Sequence, residues 1–180
     1  MAVTRIVIDA CSSLNLFGSG RSAELVLAAN LQLVVLPEVE AEAKHLHGLP
    51  DEDGVSSPEP VAWKALFSSG AATSEPFPDE ALPAFIAFAS KLTDVDAKCV
   101  ALATHLKIGL LSDDGKVRKV FSASGGVGLR TTASIIRDAA AVLPLDRSSI
   151  CEIFNRIRDR ARFKPSPRQP DYDWYLKQNS

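Results

Sequence analysis

Cysteine is scarce in this chain and scattered. Cys11, Cys99 and Cys151 are the only three in 180 residues, and no two stand in a CxxC spacing. Such a set argues against a disulfide framework and a zinc knuckle, and it suits a reducing cytoplasm. Long hydrophobic runs are missing as well. The greasiest stretch, LVLAANLQLVVL, is interrupted by Asn30 and Gln32 and is too short to cross a bilayer. The apolar run before Asp9 is too short for the core of a signal peptide, so a soluble cytoplasmic protein without a membrane partner is expected. Neither sign of charge is in excess: 20 basic residues face 22 acidic ones, for a formal net charge of −2. That balance does not announce a nucleic-acid binder, although it leaves room for a basic patch beside an acidic one. No internal repeat is visible.

What remains is a globular composition, 46% hydrophobic, in a chain long enough for one domain with a real core. A domain of this size buries roughly 70% of its unfolded surface and needs no covalent staples. Short runs rich in Val, Ile and Leu predict strands at 4–8, 32–36, 108–112 and 127–130. They do not alternate with polar residues, as befits strands covered on both faces. Helical periodicity lies between them. Residues 37–46 stripe Val39, Ala43 and Leu46, and residues 79–91 stripe Leu82, Phe85, Ile86 and Ala89. Residues 94–107 stripe Cys99, Leu102, Ala103 and Leu106, Thr132 reads as the cap of a helix reaching Leu143, and residues 147–161 stripe Ile150, Ile153, Phe154, Ile157 and Ala161. The alternation predicts an α/β fold, a three-layer α/β/α sandwich around a parallel sheet. Residues 1–145 form its main domain. The Gly, Pro and Ser content of 48–78 marks a surface insertion with one small element between Val61 and Phe67. Residues 146–180 supply a further helix and an irregular tail packed on the same domain.

Several acids stand where chemistry is done. Asp9 ends the first predicted strand, where on its own it reads as the N-cap of the next helix. Asp96 follows Thr93 in a near capping box, yet it precedes Cys99, Val100 and Ala103 by three, four and seven residues and so lies on the inward stripe. Glu38, Glu40 and Glu42 share one helix. Glu42 projects about 60° from its apolar stripe and is the best inward candidate. Asp113 and Asp114 follow a strand in SDDG, ordinary turn chemistry at the sheet edge where open α/β sheets bind ligands. Taken singly each acid has a structural explanation. Together they predict a carboxylate cluster, which repels itself unless a cation neutralises it; an all-oxygen site selects Mg²⁺ or Mn²⁺. Such a site suits metal-activated water attacking a phosphodiester.

The order VIDACSSLNL, LPEVEAEA, DVDAKCVALATHLK and GLLSDDGKV resembles the PIN domain family over residues 4–140. The resemblance implies a metal-dependent endoribonuclease, often the toxin of a toxin–antitoxin pair of VapC type. It implies RNA as substrate, Mg²⁺ or Mn²⁺ as cofactor, and an antitoxin protein and a second copy of the chain as partners. Carried over residue by residue, it makes Asp9, Glu42, Asp96 and Asp114 the catalytic and metal-holding acids, with Ser112 and Asp113 in support. Lys116, Arg118 and Lys119 follow directly and are expected near substrate phosphates. The long insertion and the extended tail depart from the compact toxins, so a non-catalytic PIN-like interaction module is the alternative. A receiver-type signalling domain ranks last, because it wants an acidic pair after the first strand and Asp9 stands alone before Ala10 and Cys11.

Overall fold

The computed structural model describes residues 2–50 and 52–179. The chain runs β1 (Thr4–Ile8), α1 (Ala10–Gly18), α2 (Ser22–Ala28), β2 (Leu31–Val35) and α3 (Pro37–Glu42). It continues with β3 (His45–Pro50), β4 (Ser56–Pro60), α4 (Trp63–Ser68), β5 (Ala72–Ser74), a 3-10 turn (Asp79–Ala81), α5 (Leu82–Ala89) and α6 (Asp94–Leu106). It ends with β6 (Gly109–Leu111), α7 (Gly115–Ala123), β7 (Leu129–Arg130), α8 (Thr132–Ala140), α9 (Arg147–Ala161) and α10 (Tyr172–Asn179).

A five-stranded sheet in the order β5-β2-β1-β6-β7 forms the middle layer, and every pairing in it is parallel. Helices α5, α6 and α7 pack with one another on one side, while α1, α2, α8, α9 and α10 form the other group. The expected α/β/α sandwich is therefore present. Its strands read as continuous apolar runs because both faces are covered: Ile6, Val7, Ile8, Leu33, Val34, Val35, Leu110 and Leu111 are all fully buried. Among the described residues, no helix is long and apolar enough to cross a membrane.

The strand order sets up the site. From β1 the chain steps outward to β2 and β5, then returns to the other side of β1 to lay down β6 and β7. The order reverses between β1 and β6, the switch point at whose carboxyl end such sheets form a crevice. Register aligns that end: Ile8 pairs with Leu111, and the Asp9 amide donates to the Leu111 carbonyl at 3.3 Å. Asp9 and Ser112 thus leave the sheet side by side. The β6–β7 pair is close enough to require glycine, since a Cβ on Gly109 would lie 2.5 Å from the Gly128 carbonyl oxygen, and Gly128 itself has φ +71°.

Several elements differ from the sequence expectation. The helix expected over 37–46 stops at Glu42, and His45 to Pro50 pair instead with Ser56 to Pro60 as an antiparallel hairpin. His45 and His47 therefore stand on a strand and not at a helix end, although Leu46 is still buried. The region 48–78 is more than a surface insertion. Besides half of that hairpin and α4, it contributes β5, a strand of the central sheet, with Ala71 and Ala72 buried. The stripe expected on α5 fails, because Leu82 is 47% and Ile86 64% exposed while Phe85 and Ala89 only partly bury themselves. LPAFIAFA is apolar all round, so its periodicity selects no face. The cap at the head of α8 is Thr131, whose hydroxyl accepts the Ser134 amide while its own amide donates to the Ser134 hydroxyl in a capping box, and that helix ends at Ala140. Two helices escape the sequence reading, α2 and α7, and the tail holds a third, α10. As expected, α9 spans 147–161 with its apolar stripe inward.

Candidate active site

Asp9 caps α1. Its Oδ1 accepts the Ser12 amide at 2.7 Å, and its backbone carbonyl accepts the Ser13 hydroxyl. The side chain is 1% exposed, and Oδ2 has no hydrogen-bond partner. Burial pushes this carboxyl up to about 7; the hydroxyls of Ser112 and Ser12 and the Ser12 amide draw it partly back, and Asp113 adds a small push upward. A cap needs one oxygen. The second oxygen, buried beside the Ser112 hydroxyl but with no hydrogen bond of proper geometry, is what capping leaves unexplained.

Ser112 is fully buried at the end of β6, and its hydroxyl oxygen accepts the Asp114 amide at 3.2 Å. Asp114 in turn caps α7, accepting the Lys116 and Val117 amides at 2.6 and 3.1 Å, while the residue as a whole stays exposed. Asp96 sits in the first turn of α6, half-buried, and accepts the Thr93 hydroxyl at 2.8 Å. Burial raises its pKa, the Thr93 hydroxyl lowers it, and the charge of Asp114 raises it again while Lys116 offsets part of that push. Glu42, expected to face inward, is instead exposed as the last residue of α3, because the helix ends there; slight desolvation and the charge of Asp96 raise its carboxyl.

The three glutamates of α3 are sorted by long-range partners. Glu38 is paired with Lys98 of α6, and Glu40 accepts the Ser74 hydroxyl of β5 at 2.9 Å. Glu42 has neither kind of partner among the described residues.

One side chain reports on all four acids. Cys11, exposed in the first turn of α1, has its thiol pushed up to about 11, first by burial and then by the charges of Asp9, Asp96, Glu42 and Asp114. The charges of four carboxylates, from the end of β1, α3, α6 and the β6–α7 junction, therefore all reach Cys11 near the switch point. They share a field and not a ready coordination shell: among the described residues no three His, Cys, Asp or Glu side chains stand together as a group able to hold an ion. Separation is what four uncompensated negative charges favour. The orphaned oxygen of Asp9, the mutual elevation of the carboxyls and the all-oxygen donor set each suit a hard divalent cation.

Asp113 does different work. It accepts the Asn15 side-chain amide at 2.8 Å, the Thr132 amide at 3.0 Å and the Thr132 hydroxyl, and the Gln169 side-chain amide lies 3.3 Å from its Oδ1. Its own amide donates to the Ser12 hydroxyl at 2.9 Å. With its oxygens spent, Asp113 ties α1, α8 and the tail to the end of β6. Asn15 and Gln169 are absent from the sequence reading, and Thr132 enters it only as a helix cap. Asn15 had a faint signal, as a polar residue between Leu14 and Leu16; Gln169 had none, because its partner is 56 residues away.

Lys116, Arg118 and Lys119 line a cavity of about 550 Å³ beside Asp113, and Arg168 and Gln169 of the tail form its facing wall. A smaller cleft of about 260 Å³ adjoins Cys11, Asp113 and Asp114 and is closed by Arg162 and Phe163. The chain matches no protein-family model and no curated protein sequence.

Proposed function

We propose that this chain is a PIN-type endoribonuclease dependent on Mg²⁺ or Mn²⁺. The observation that carries the reading is the buried Asp9 oxygen left without a hydrogen bond where β1 and β6 end side by side at the switch point. The charges of Glu42, Asp96 and Asp114 reach the adjacent Cys11 as that of Asp9 does. These four would hold the ion or ions. Bound there, a divalent cation supplies an activated water and neutralises charge on the phosphodiester being cleaved. The chain's own groups do the rest. Ser112 fixes Asp114 against the strand end, and the α1 amide of Ser12 holds Asp9 by one oxygen so that the other points free. Asp113 locks the β6 end in place, and Lys116, Arg118 and Lys119 offer cationic ground for the flanking phosphates. Cytoplasmic residence, an antitoxin partner and a homodimer belong to the same proposal. A small overlapping reading frame upstream of the gene would support the toxin subtype.

The test is cleavage of a mixed RNA pool with Mn²⁺ by the wild type, Asp9→Asn and Asp96→Asn. The expected result is Mn²⁺-dependent cleavage by the wild type and a loss of at least about a hundredfold in each variant, the scale of removing a central electrostatic group. Equal cleavage by all three would assign the activity to a contaminant and end the proposal. No cleavage by the wild type, with no Mn²⁺-induced rise in melting temperature, would favour the interaction-module alternative.

A further inference from the structure

The cavity between α7 and the tail has properties that the acid cluster does not account for. Arg5, Arg21, Lys98, Arg130, Arg137, Arg158 and Arg160 are each paired with a carboxylate. Lys116, Arg118, Lys119 and Arg168, which line the cavity, form no such pair among the described residues. The Nε of Arg118 is buried without an acceptor, a donor that the protein itself leaves unspent. At about 550 Å³ the space is of ligand-pocket size.

Its far wall is anchored. Gln169, 6% exposed, donates its side-chain amide to the Asp113 carbonyl at 3.1 Å and also reaches the Asp113 carboxylate. Asp171, 5% exposed, accepts the Thr131 hydroxyl at 2.9 Å and pairs with Arg137. The tail is thus pinned on both sides of Pro170, which holds Arg168 in the lining of the cavity. Asp113 borders both this cavity and the cleft beside Cys11 and Asp114, so the two spaces lie on either side of one residue.

We infer that this cavity binds backbone phosphate of single-stranded RNA next to the cleavage point, and that the C-terminal segment around Arg168 and Gln169 is a substrate-binding element of the enzyme. The inference rests on the ribonuclease reading for the identity of the polyanion. Four unpaired cations, one of them Arg118 with its buried guanidinium donor, select phosphate, and adjacency to the acids selects a phosphodiester chain over a lone anion.

Binding in the absence of metal tests this apart from catalysis. A fluorescein-labelled 12-nucleotide single-stranded RNA is titrated with full-length protein in EDTA and followed by anisotropy. Arg168→Gln and Lys119→Gln should each weaken binding by about tenfold at low salt and reduce the log–log salt slope by about 0.7, as expected for one lost phosphate contact on a single strand. Lys64→Gln, on α4 beside the opposite sheet edge, should bind as the wild type does. Unchanged affinity in both cavity variants, or binding of poly-glutamate and not of RNA, would overturn the inference. A failed nuclease reading looks different: RNA affinity would depend on Arg168 and Lys119 while Mn²⁺-dependent cleavage did not depend on Asp9.

Discussion

Asp9 carries two obligations that oppose each other. As a cap it lowers the energy of α1, since its oxygen satisfies a helix amide. As a buried charge with one unpaired oxygen it raises the energy of the folded state. The sign of the pH effect follows. Its carboxyl titrates near 7 when folded against an ordinary 3.8, so between those values the folded chain binds more protons than the unfolded chain. Metal-free stability therefore falls as pH rises through that window. Asn caps as well as Asp and carries no charge, so Asp9→Asn should lose less stability than the wild type between pH 5 and pH 8, by on the order of 2–3 kcal/mol. Urea unfolding in EDTA at the two pH values measures this, and parallel pH dependences would contradict it. Asp96, Glu42 and Asp113 are raised in the same direction, so the variant retains a shallower slope.

Much of this site is legible from local sequence. Asp9, Ser112, Asp113 and Asp114 follow apolar runs that can only be buried strands, and the phase of Asp96 against Cys99, Val100 and Ala103 turns it inward. What sequence leaves open is the choice among Glu38, Glu40 and Glu42. Helical phase separates them weakly. Glu38 and Glu40 are told apart from Glu42 by their partners, which lie 60 residues away for Glu38 and 34 for Glu40. The division of labour between Asp113 and Asp114 is hidden for the same reason, since Asn15, Thr132 and Gln169 reach Asp113 from three distant elements.

At the scale of elements, legibility follows the strength of the pattern. The long amphipathic α9 and the buried β1 declare themselves. The polar GKVRKVFSA of α7 and the three-residue β5 do not, because one has a thin apolar stripe and the other lacks the length for a pattern. The hairpin β3–β4 is built from residues with poor strand propensity, including Pro58 and Pro60, and tertiary contacts hold it. Its Glu59 pairs with the buried Arg160 of α9, and behind it Trp63 packs edge-on against Phe17 at 4.8 Å while donating to the Ala43 carbonyl. The tail is held in the same way. Its aromatics cluster on α9, with Tyr175 edge-on to Phe154 at 4.8 Å, and Asp171 fastens it to the head of α8. Asp171→Ala removes the acceptor of the Thr131 hydroxyl proton and the partner of Arg137, and should cost about 1–3 kcal/mol. The loss should be local. Hydrogen exchange should accelerate over residues 163–179 and stay slow in β1 and β6, and a uniform acceleration across the sheet would contradict this.

For the molecule as a whole, a net charge of −2 conceals a sharp separation. Acids gather above the switch point, and unpaired cations of α7 and the tail line the adjoining cavity. The parallel sheet creates that edge by reversing its strand order between β1 and β6, so residues over a hundred positions apart leave it together. Fold class is readable because alternating apolar runs and helices permit few other arrangements. The strand order is not, because it depends on which side of β1 each returning strand takes.

The central claim is that Asp9, Glu42, Asp96 and Asp114 serve one cation site, and Mn²⁺ titration followed by electron paramagnetic resonance tests it most directly. At pH 7.5 the six-line signal of free Mn²⁺ should be suppressed by the wild-type protein. Asp9→Asn, Glu42→Gln, Asp96→Asn and Asp114→Asn should each weaken that binding by about tenfold or more, on the scale of losing a charged ligand. Glu38→Gln, whose native carboxylate is committed to Lys98, should leave it unchanged. Wild-type affinity in the four variants, or no Mn²⁺ binding by the wild type, would contradict the account.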